Sequence, residues 1–142
     1  MSRKSSINAA IYNPITPDGK FTPEMVRLLQ DIVSNRRINT GVGQPITIAS
    51  GVITIGANYS YFVIDTEAAA ASDDLDTISG ANEGDLIFIK AANAARTVVL
   101  KDGTGNIKTN GSADLSLDNS DDLAVLHFDG TSWKADLWNI SA

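Results

Sequence analysis

Residues 86–101 read LIFIKAANAARTVVLK, and their composition indicates a β fold. Two runs rich in Val, Ile, Leu and Phe, Leu86–Ala91 and Thr97–Lys101, flank the segment ANAAR, a pattern typical of two β-strands joined by a turn. Neither run alternates apolar and polar residues as a strand with one wet face does, because apolar side chains point to both of its faces. The stretch therefore predicts strands that are covered on both sides.

Similar short runs, separated by Gly, Asn, Asp and Ser, continue from Pro45 almost to the end of the chain. About nine strands are expected among ten candidate runs, because one pair is either fused or lost. No long repeat is detectable, although Ile-Thr-Ile at 46–48 recurs at 53–55. The prediction is a mainly β fold, an antiparallel, jelly-roll-like β-sandwich that occupies residues 45–142 and carries oligomerisation. The candidate runs are Ile46–Ala49, Val52–Ile55, Tyr59–Asp65, Leu75–Ser79, Leu86–Ala91, Thr97–Lys101, Asn106–Thr109, Leu115–Leu117, Leu123–Phe128 and Trp133–Ile140.

Residues 1–44 follow a different pattern and predict an extended arm and one short α-helix. Proline and Asp-Gly pairs before residue 21 favour extended and turn conformations. Thr22-Pro23-Glu24 is a helix start, with a capping hydroxyl, a proline at the first helical position and an acid in the first turn. Phe21 and Val26 are spaced as a hydrophobic staple. We predict a helix that ends near Asn39–Gly43 and an attachment segment made of the whole stretch.

Length and composition limit the classes of protein. The chain has 142 residues and a mass of 15.0 kDa, with 43% hydrophobic and 20% charged residues, which suits one domain with an appendage. Cysteine is absent, so neither a disulfide framework nor a thiolate metal site exists. No apolar run approaches the ~20 residues that span a bilayer, and Met1–Ala10 lacks a signal-peptide core. No membrane insertion is expected.

The net charge of −6 is unevenly distributed. Residues 1–37 contain six bases and three acids, which gives +3, whereas the remainder contains five bases and fourteen acids, which gives −9. An acidic body repels nucleic acid, while the basic front segment suits an acidic surface. We expect no nucleic-acid partner.

The sequence contains little that points to catalysis. His127 is the only imidazole and lies within an apolar strand, so a structural role is expected for it. No nucleophile elbow and no phosphate-binding glycine loop is present. The spacing in Asp102–Asn106 resembles the start of a calcium loop, but Ile107 stands where that loop requires glycine. We expect that the protein is not an enzyme and that it binds no metal or cofactor. The enzymatic alternative is a small glycan hydrolase that uses a pair of carboxylates.

Three of the expected strands need cover on both faces, and one helix of about 15 residues, ~23 Å long, cannot provide it. We therefore predict a partner chain; the alternative is a central sheet closed over by loops and the arm. Attachment to other proteins is expected through the basic and apolar residues of the front segment. Sugar stacking is considered for a platform of Tyr59, Tyr61, Trp133 and Trp138, with Trp133 as the expected contact. The expected interface residues are Tyr59, Tyr61, Phe62, Ile64, Phe88 and Val99, and the expected attachment residues are Ile11, Phe21, Arg27, Arg36 and Arg37.

Glu83–Ala91 and Ala95–Ile107, followed by Leu123–Trp133 with its Asp-Gly-Thr-Ser-Trp ending, resemble a β-module of tailed-bacteriophage structural proteins. The resemblance covers roughly residues 45–140, and the stretch from Asn13 to Gln30 is similar to attachment segments of virion proteins. Such modules serve as head decorations, head fibres or tail fibres, usually as trimers, and supply no catalytic residues. The absence of a long fibrous repeat departs from typical tail fibres and favours a compact accessory subunit.

The resemblance implies a homotrimeric capsid decoration or cement protein that binds and stabilises the assembled shell. Its partners would be copies of itself and the major capsid protein or other virion subunits. It would be made in the host cytoplasm and reside on the capsid or tail surface of the virion. The alternative is a short tail fibre or receptor-binding module that contacts host surface polysaccharide.

Overall fold

A computed structural model describes residues 17–20, 22–34 and 41–138. The chain divides into two compact units, Met1–Arg36 and Arg37–Ala142. In the first unit, helix α1 spans Pro23–Ser34. The Met25 N–H donates to Thr22 Oγ1 at 3.2 Å, so the predicted N-cap is confirmed. Phe21, the other half of the predicted staple, lies outside the described residues.

The second unit is mainly β, as the sequence predicts. Its described part contains eleven strands and a 3₁₀ turn at Glu67–Ala69. The strands are β1 Gln44–Thr47, β2 Val52–Thr54, β3 Tyr61–Asp65, β4 Ser72–Leu75, β5 Thr77–Ser79, β6 Leu86–Ala91, β7 Thr97–Leu100, β8 Ile107–Thr109, β9 Leu115–Leu117, β10 Leu123–Phe128 and β11 Trp133–Trp138.

These strands form three sheets. The first sheet has the order β1-β3-β6-β10-β11-β8, the second pairs β2 with β5, and the third has the order β4-β7-β9. Five of the pairings are parallel: β1 with β3, β3 with β6, β2 with β5, β4 with β7, and β8 with β11. The prediction of an antiparallel arrangement is therefore wrong: the sheets are mixed, and the strands stack as in a solenoid rather than as a clear sandwich.

The parallel pairing follows from the path of the chain. β3 lies in the first sheet, β4 in the third, β5 in the second and β6 again in the first. The chain thus passes through all three sheets before it returns, and β6 runs in the same direction as β3. Ser72 pairs with Thr97 and Val52 pairs with Thr77, an offset of 25 residues in both sheets. At this offset Ile53 aligns with Ile78 and Leu75 with Leu100, but the other paired positions differ in residue type, so the sequence shows no obvious repeat.

The turns between sheets also stack on one another. The predicted run Leu75–Ser79 is broken at Asp76, whose N–H donates to the Gly51 carbonyl at 2.8 Å. Gly80 has φ +91°, and a Cβ there would collide with the carbonyl oxygen of Ile55. Only glycine fits this corner, because it tolerates positive φ and a close backbone approach.

Side chains that point inward from all three sheets form one apolar core. In β3, β6 and β7, every second residue is buried and the residues between are partly exposed. Trp133 is the largest fully buried side chain, and its indole N–H donates to the Ile78 carbonyl at 3.2 Å. The inner face of the first sheet is thus filled within this chain, whereas its outer face is covered only in part.

The C-terminal strands close the stack differently. β10 runs antiparallel to β6 and to β11, and β9 runs antiparallel to β7. The β10–β11 connection contains Asp129, whose carboxylate accepts the N–H groups of Ser132 at 2.8 Å and Thr131 at 2.9 Å. This tight hairpin places the outer side chains of β11 beside those of β10.

Candidate functional site

The outer face of the first sheet carries a row of apolar side chains. Tyr61 of β3 is in register with Phe88 of β6, and Phe88 is in register with Val125 of β10. All three side chains are half-buried. We call Tyr61, Phe88 and Val125 the outer apolar row. Because sheet faces that meet only water carry mainly polar residues, this row indicates that part of the outer face suits a cover other than water.

One end of the outer apolar row contacts the chain's own backbone. Gly43 lies so close to it that a Cβ there would be 2.5 Å from Val63 Cγ2 and 3.0 Å from Tyr61 Cε1. The absence of a side chain at residue 43, immediately before β1, therefore leaves room for the side chains of Tyr61 and Val63.

On the far side of Val125 the same face becomes charged and forms a groove of about 760 Å³. We call it the β10–β11 groove. His127 of β10 is in register with Lys134 of β11, and Lys134 is in register with Lys108 of β8. Trp138, at the end of β11, is 71% exposed and belongs to the lining. The groove thus combines an open aromatic face with a row of basic side chains.

Two contacts fix the ammonium group of Lys134 at the rim of the groove. Its Nζ lies 3.1 Å from Asp129 Oδ2 and donates to Ser132 Oγ at 2.7 Å. The N–H groups of Ser132 and Thr131, and then Lys134, lower the pKa of Asp129 well below its usual range. Asp129 therefore stays ionised beside Lys134 in ordinary acidic and neutral conditions.

Lys108 has a different environment. Among residues 17–20, 22–34 and 41–138, no carboxylate lies within 4.0 Å of its Nζ. Asn110 and Asp136 lie between this lysine and Trp138, with 3.5 Å between Asn110 Nδ2 and Asp136 Oδ2. The groove therefore offers an amide and one carboxylate beside its basic row.

The structure divides the residues expected at a chain interface. Tyr59 is 44% exposed, and Tyr61 and Phe88 lie half-buried on the outer face of the first sheet. Phe62 and Ile64 point the other way and are 1% and 0% exposed, so the prediction that they face a partner is wrong. Their places in the alternation of β3 put them in the core of their own chain. Val99 is half-buried but lies on the third sheet.

The expected sugar contact and attachment residues have different outcomes. Trp133 is 0% exposed, so the prediction that it stacks on a sugar is wrong. Of the four aromatic residues considered for a sugar-stacking platform, Trp138 and Tyr59 are exposed, at 71% and 44%. Arg27 is exposed on α1. Ile11, Phe21, Arg36 and Arg37 lie outside the described residues.

The described part of the chain lacks two further features. It contains no group of three or more His, Cys, Asp or Glu side chains placed to hold a metal ion. None of its helices has the length and apolar character needed to cross a bilayer. No protein-family model, curated protein or solved structure matches this chain.

Proposed function

We propose that this chain is a homotrimeric structural protein of a tailed-phage virion, a decoration or cement subunit that binds and stabilises the assembled shell. The observation that carries the proposal is the outer apolar row, which gives the first sheet a second apolar face. The resemblance of residues 45–140 to phage β-modules supports the class of protein and the number of subunits.

A second copy is the natural cover for this row. Each 100 Å² of apolar surface removed from water contributes about 2.5 kcal/mol, and a buried aromatic side chain accounts for roughly 150–250 Å². The free energy gained by burying apolar surface must exceed the entropic cost of association. One contact must therefore cover Tyr61, Phe88 and Val125 together with their neighbours. Their alignment across three adjacent strands allows one flat contact to do this.

Binding of the shell is assigned to residues 1–44. This segment is basic up to residue 37 and its helix exposes Arg27, which suits an acidic site on capsid subunits. A ligand that binds only the assembled shell stabilises the shell by mass action. Three linked attachment segments raise the effective concentration of each other, so weak single contacts suffice. No bond is made or broken.

Sedimentation equilibrium of the full chain tests the oligomer, with three times 15.0 kDa as the expected mass. Phe88→Glu places a charge in the outer apolar row and should give a folded monomer. Thr54→Glu, at an exposed position of β2, is the matched control and should remain trimeric. A wild-type monomer at micromolar concentration would overturn the trimer.

Co-sedimentation with purified capsids tests the shell contact. The triple variant with Arg27, Arg36 and Arg37 changed to Glu should stay trimeric and remain in the supernatant. Lys20→Glu, in the same segment, serves as the charge control and should pellet with capsids. Pelleting of the triple variant at the wild-type level would refute the attachment segment.

The second candidate is a short tail fibre or receptor-binding module that contacts host surface polysaccharide. One observation favours it: an indole that is 71% exposed stands at the edge of the β10–β11 groove. Immunogold labelling of whole particles separates the two candidates, because it places the protein on the head or on the tail.

A further inference from the structure

We propose that the β10–β11 groove is a binding site for acidic oligosaccharides, in which Trp138 stacks on a sugar ring and Lys108 and Lys134 receive its carboxylates. The biological setting rests on the second candidate function, but the binding itself concerns the groove alone. The groove shares Val125 with the outer apolar row, and its other lining residues lie outside that row.

The aromatic part of the site is Trp138. The apolar face of a sugar ring packs on aromatic side chains, and an indole offers the largest such surface with a polar N–H at its edge. Trp138 projects from the outer side of β11 and is 71% exposed, whereas Trp133, on the inner side, is 0% exposed. Trp138 is therefore the indole that a ligand in this groove can reach.

The basic part of the site is the row formed by His127, Lys134 and Lys108. Lys134 already pairs with Asp129, whereas Lys108, in register with it, has no carboxylate within 4.0 Å of its Nζ among the described residues. Lys108 is therefore the cation that a ligand carboxylate would neutralise. These two lysines are among only five Lys or Arg residues after residue 37, against fourteen acids. Asp136 in the lining and Asp129 at the rim offset part of this positive charge, so the groove attracts an anionic ligand mainly through Lys108.

The remaining lining suits hydroxyl groups. Asn110 offers an amide, and Asp136 offers a carboxylate, both within the same groove as the lysines. The groove volume of about 760 Å³ lies in the range of sites for small ligands. An acidic peptide would satisfy the lysines as well, but it would make no use of the open face of Trp138. The combination of groups thus favours a sugar with carboxylates.

Titration calorimetry of the full chain tests the proposal with a hyaluronan tetrasaccharide, in which glucuronate and N-acetylglucosamine alternate. Chitotetraose, which contains only N-acetylglucosamine, is the neutral probe, and hexaglutamate is the probe with carboxylates but no sugar. We expect a Kd below about 1 mM for the hyaluronan probe and at least roughly tenfold weaker binding of the other two. Because Trp133 is buried, tryptophan fluorescence should change through Trp138.

Variants assign the roles. Trp138→Ala should weaken binding of the hyaluronan probe about tenfold or more and remove the fluorescence change. Lys108→Gln combined with Lys134→Gln should bring its affinity down to that of chitotetraose. Lys90→Gln, on β6 of the same sheet face but outside the groove, is the control and should bind as the wild type does.

Three results would overturn the proposal: no heat or fluorescence change with millimolar hyaluronan probe, equal affinity for chitotetraose, or hexaglutamate binding that Trp138→Ala leaves intact. The last result would assign the groove to acidic protein surfaces. Sedimentation of the same samples reports the oligomer independently. If immunogold labelling places the protein on the head and the protein still binds the hyaluronan probe, the binding site stands and only the tail-fibre function is refuted.

Discussion

At the scale of single residues, the two tryptophans of β11 differ by their position in the strand alternation. Trp133 is buried and donates to the Ile78 carbonyl, whereas Trp138 is open to solvent. Trp133→Phe removes the indole hydrogen bond and leaves a small cavity, so it should lower the free energy of unfolding by about 2 kcal/mol. Trp138→Phe should change it by less than about 0.5 kcal/mol. Urea unfolding of both variants measures the difference, and equal midpoints would contradict the placement of Trp133.

The carboxylate of Asp129 makes the stability of the fold depend on pH. Backbone N–H groups of Ser132 and Thr131, followed by Lys134, lower the folded-state pKa of Asp129. The native state therefore binds fewer protons than the unfolded state, and the stabilisation is complete above the unfolded pKa and is lost as the pH falls from about 4 downward. Asp129→Asn should weaken the fall of Tm on acidification below this pH. An equal fall of Tm on acidification in Asp129→Asn and in the wild type would contradict this role of Asp129.

At the scale of elements, Asn106 extends the second sheet without being part of a strand. Its Oδ1 accepts the Ile78 N–H at 3.0 Å and its Nδ2 donates to the Ile78 carbonyl at 2.9 Å. The side chain thus imitates the next strand beside β5. Asn106→Ala removes both bonds and should cost about 2 kcal/mol of unfolding free energy, whereas Asn110→Ala, at an exposed turn, should cost less than about 0.5 kcal/mol. Equal costs in thermal or urea unfolding would contradict this role.

The elements also show what the sequence can reveal. Strands such as Leu86–Ala91 were recognisable because Val, Ile and Phe cluster between turn residues, and the two-sided apolar pattern was recognisable too. Strand direction was not predicted correctly, although continuous apolar runs favour parallel strands, because an antiparallel sheet covered on both faces shows the same runs. Asp76 breaks a run that looks continuous, and only the stacked backbone contacts at Gly51 and Asn106 explain the break. The groove was missed because its groups come from three strands whose order the sequence does not state.

At the scale of the whole molecule, the proposed trimer makes stability depend on concentration. An associating native state is favoured over unfolded monomers by mass action, so Tm should rise with protein concentration. Phe88→Glu should abolish that rise, because it charges the outer apolar row, while Thr54→Glu should keep it. The Phe88 side chain is only half-buried within its own chain, so the variant should still unfold cooperatively at low concentration.

Calorimetry over a hundredfold range of concentration measures this dependence, with circular dichroism to verify that each variant is folded. A constant Tm for the wild type would mean that the partly exposed Tyr61, Phe88 and Val125 are tolerated by a lone molecule. A rise that persists in Phe88→Glu would move the contact to another surface, such as that around Val99 on the third sheet. The expected pattern is a rise of Tm in the wild type and in Thr54→Glu but not in Phe88→Glu. It would place the contact between copies on the outer apolar row, which shares only Val125 with the β10–β11 groove.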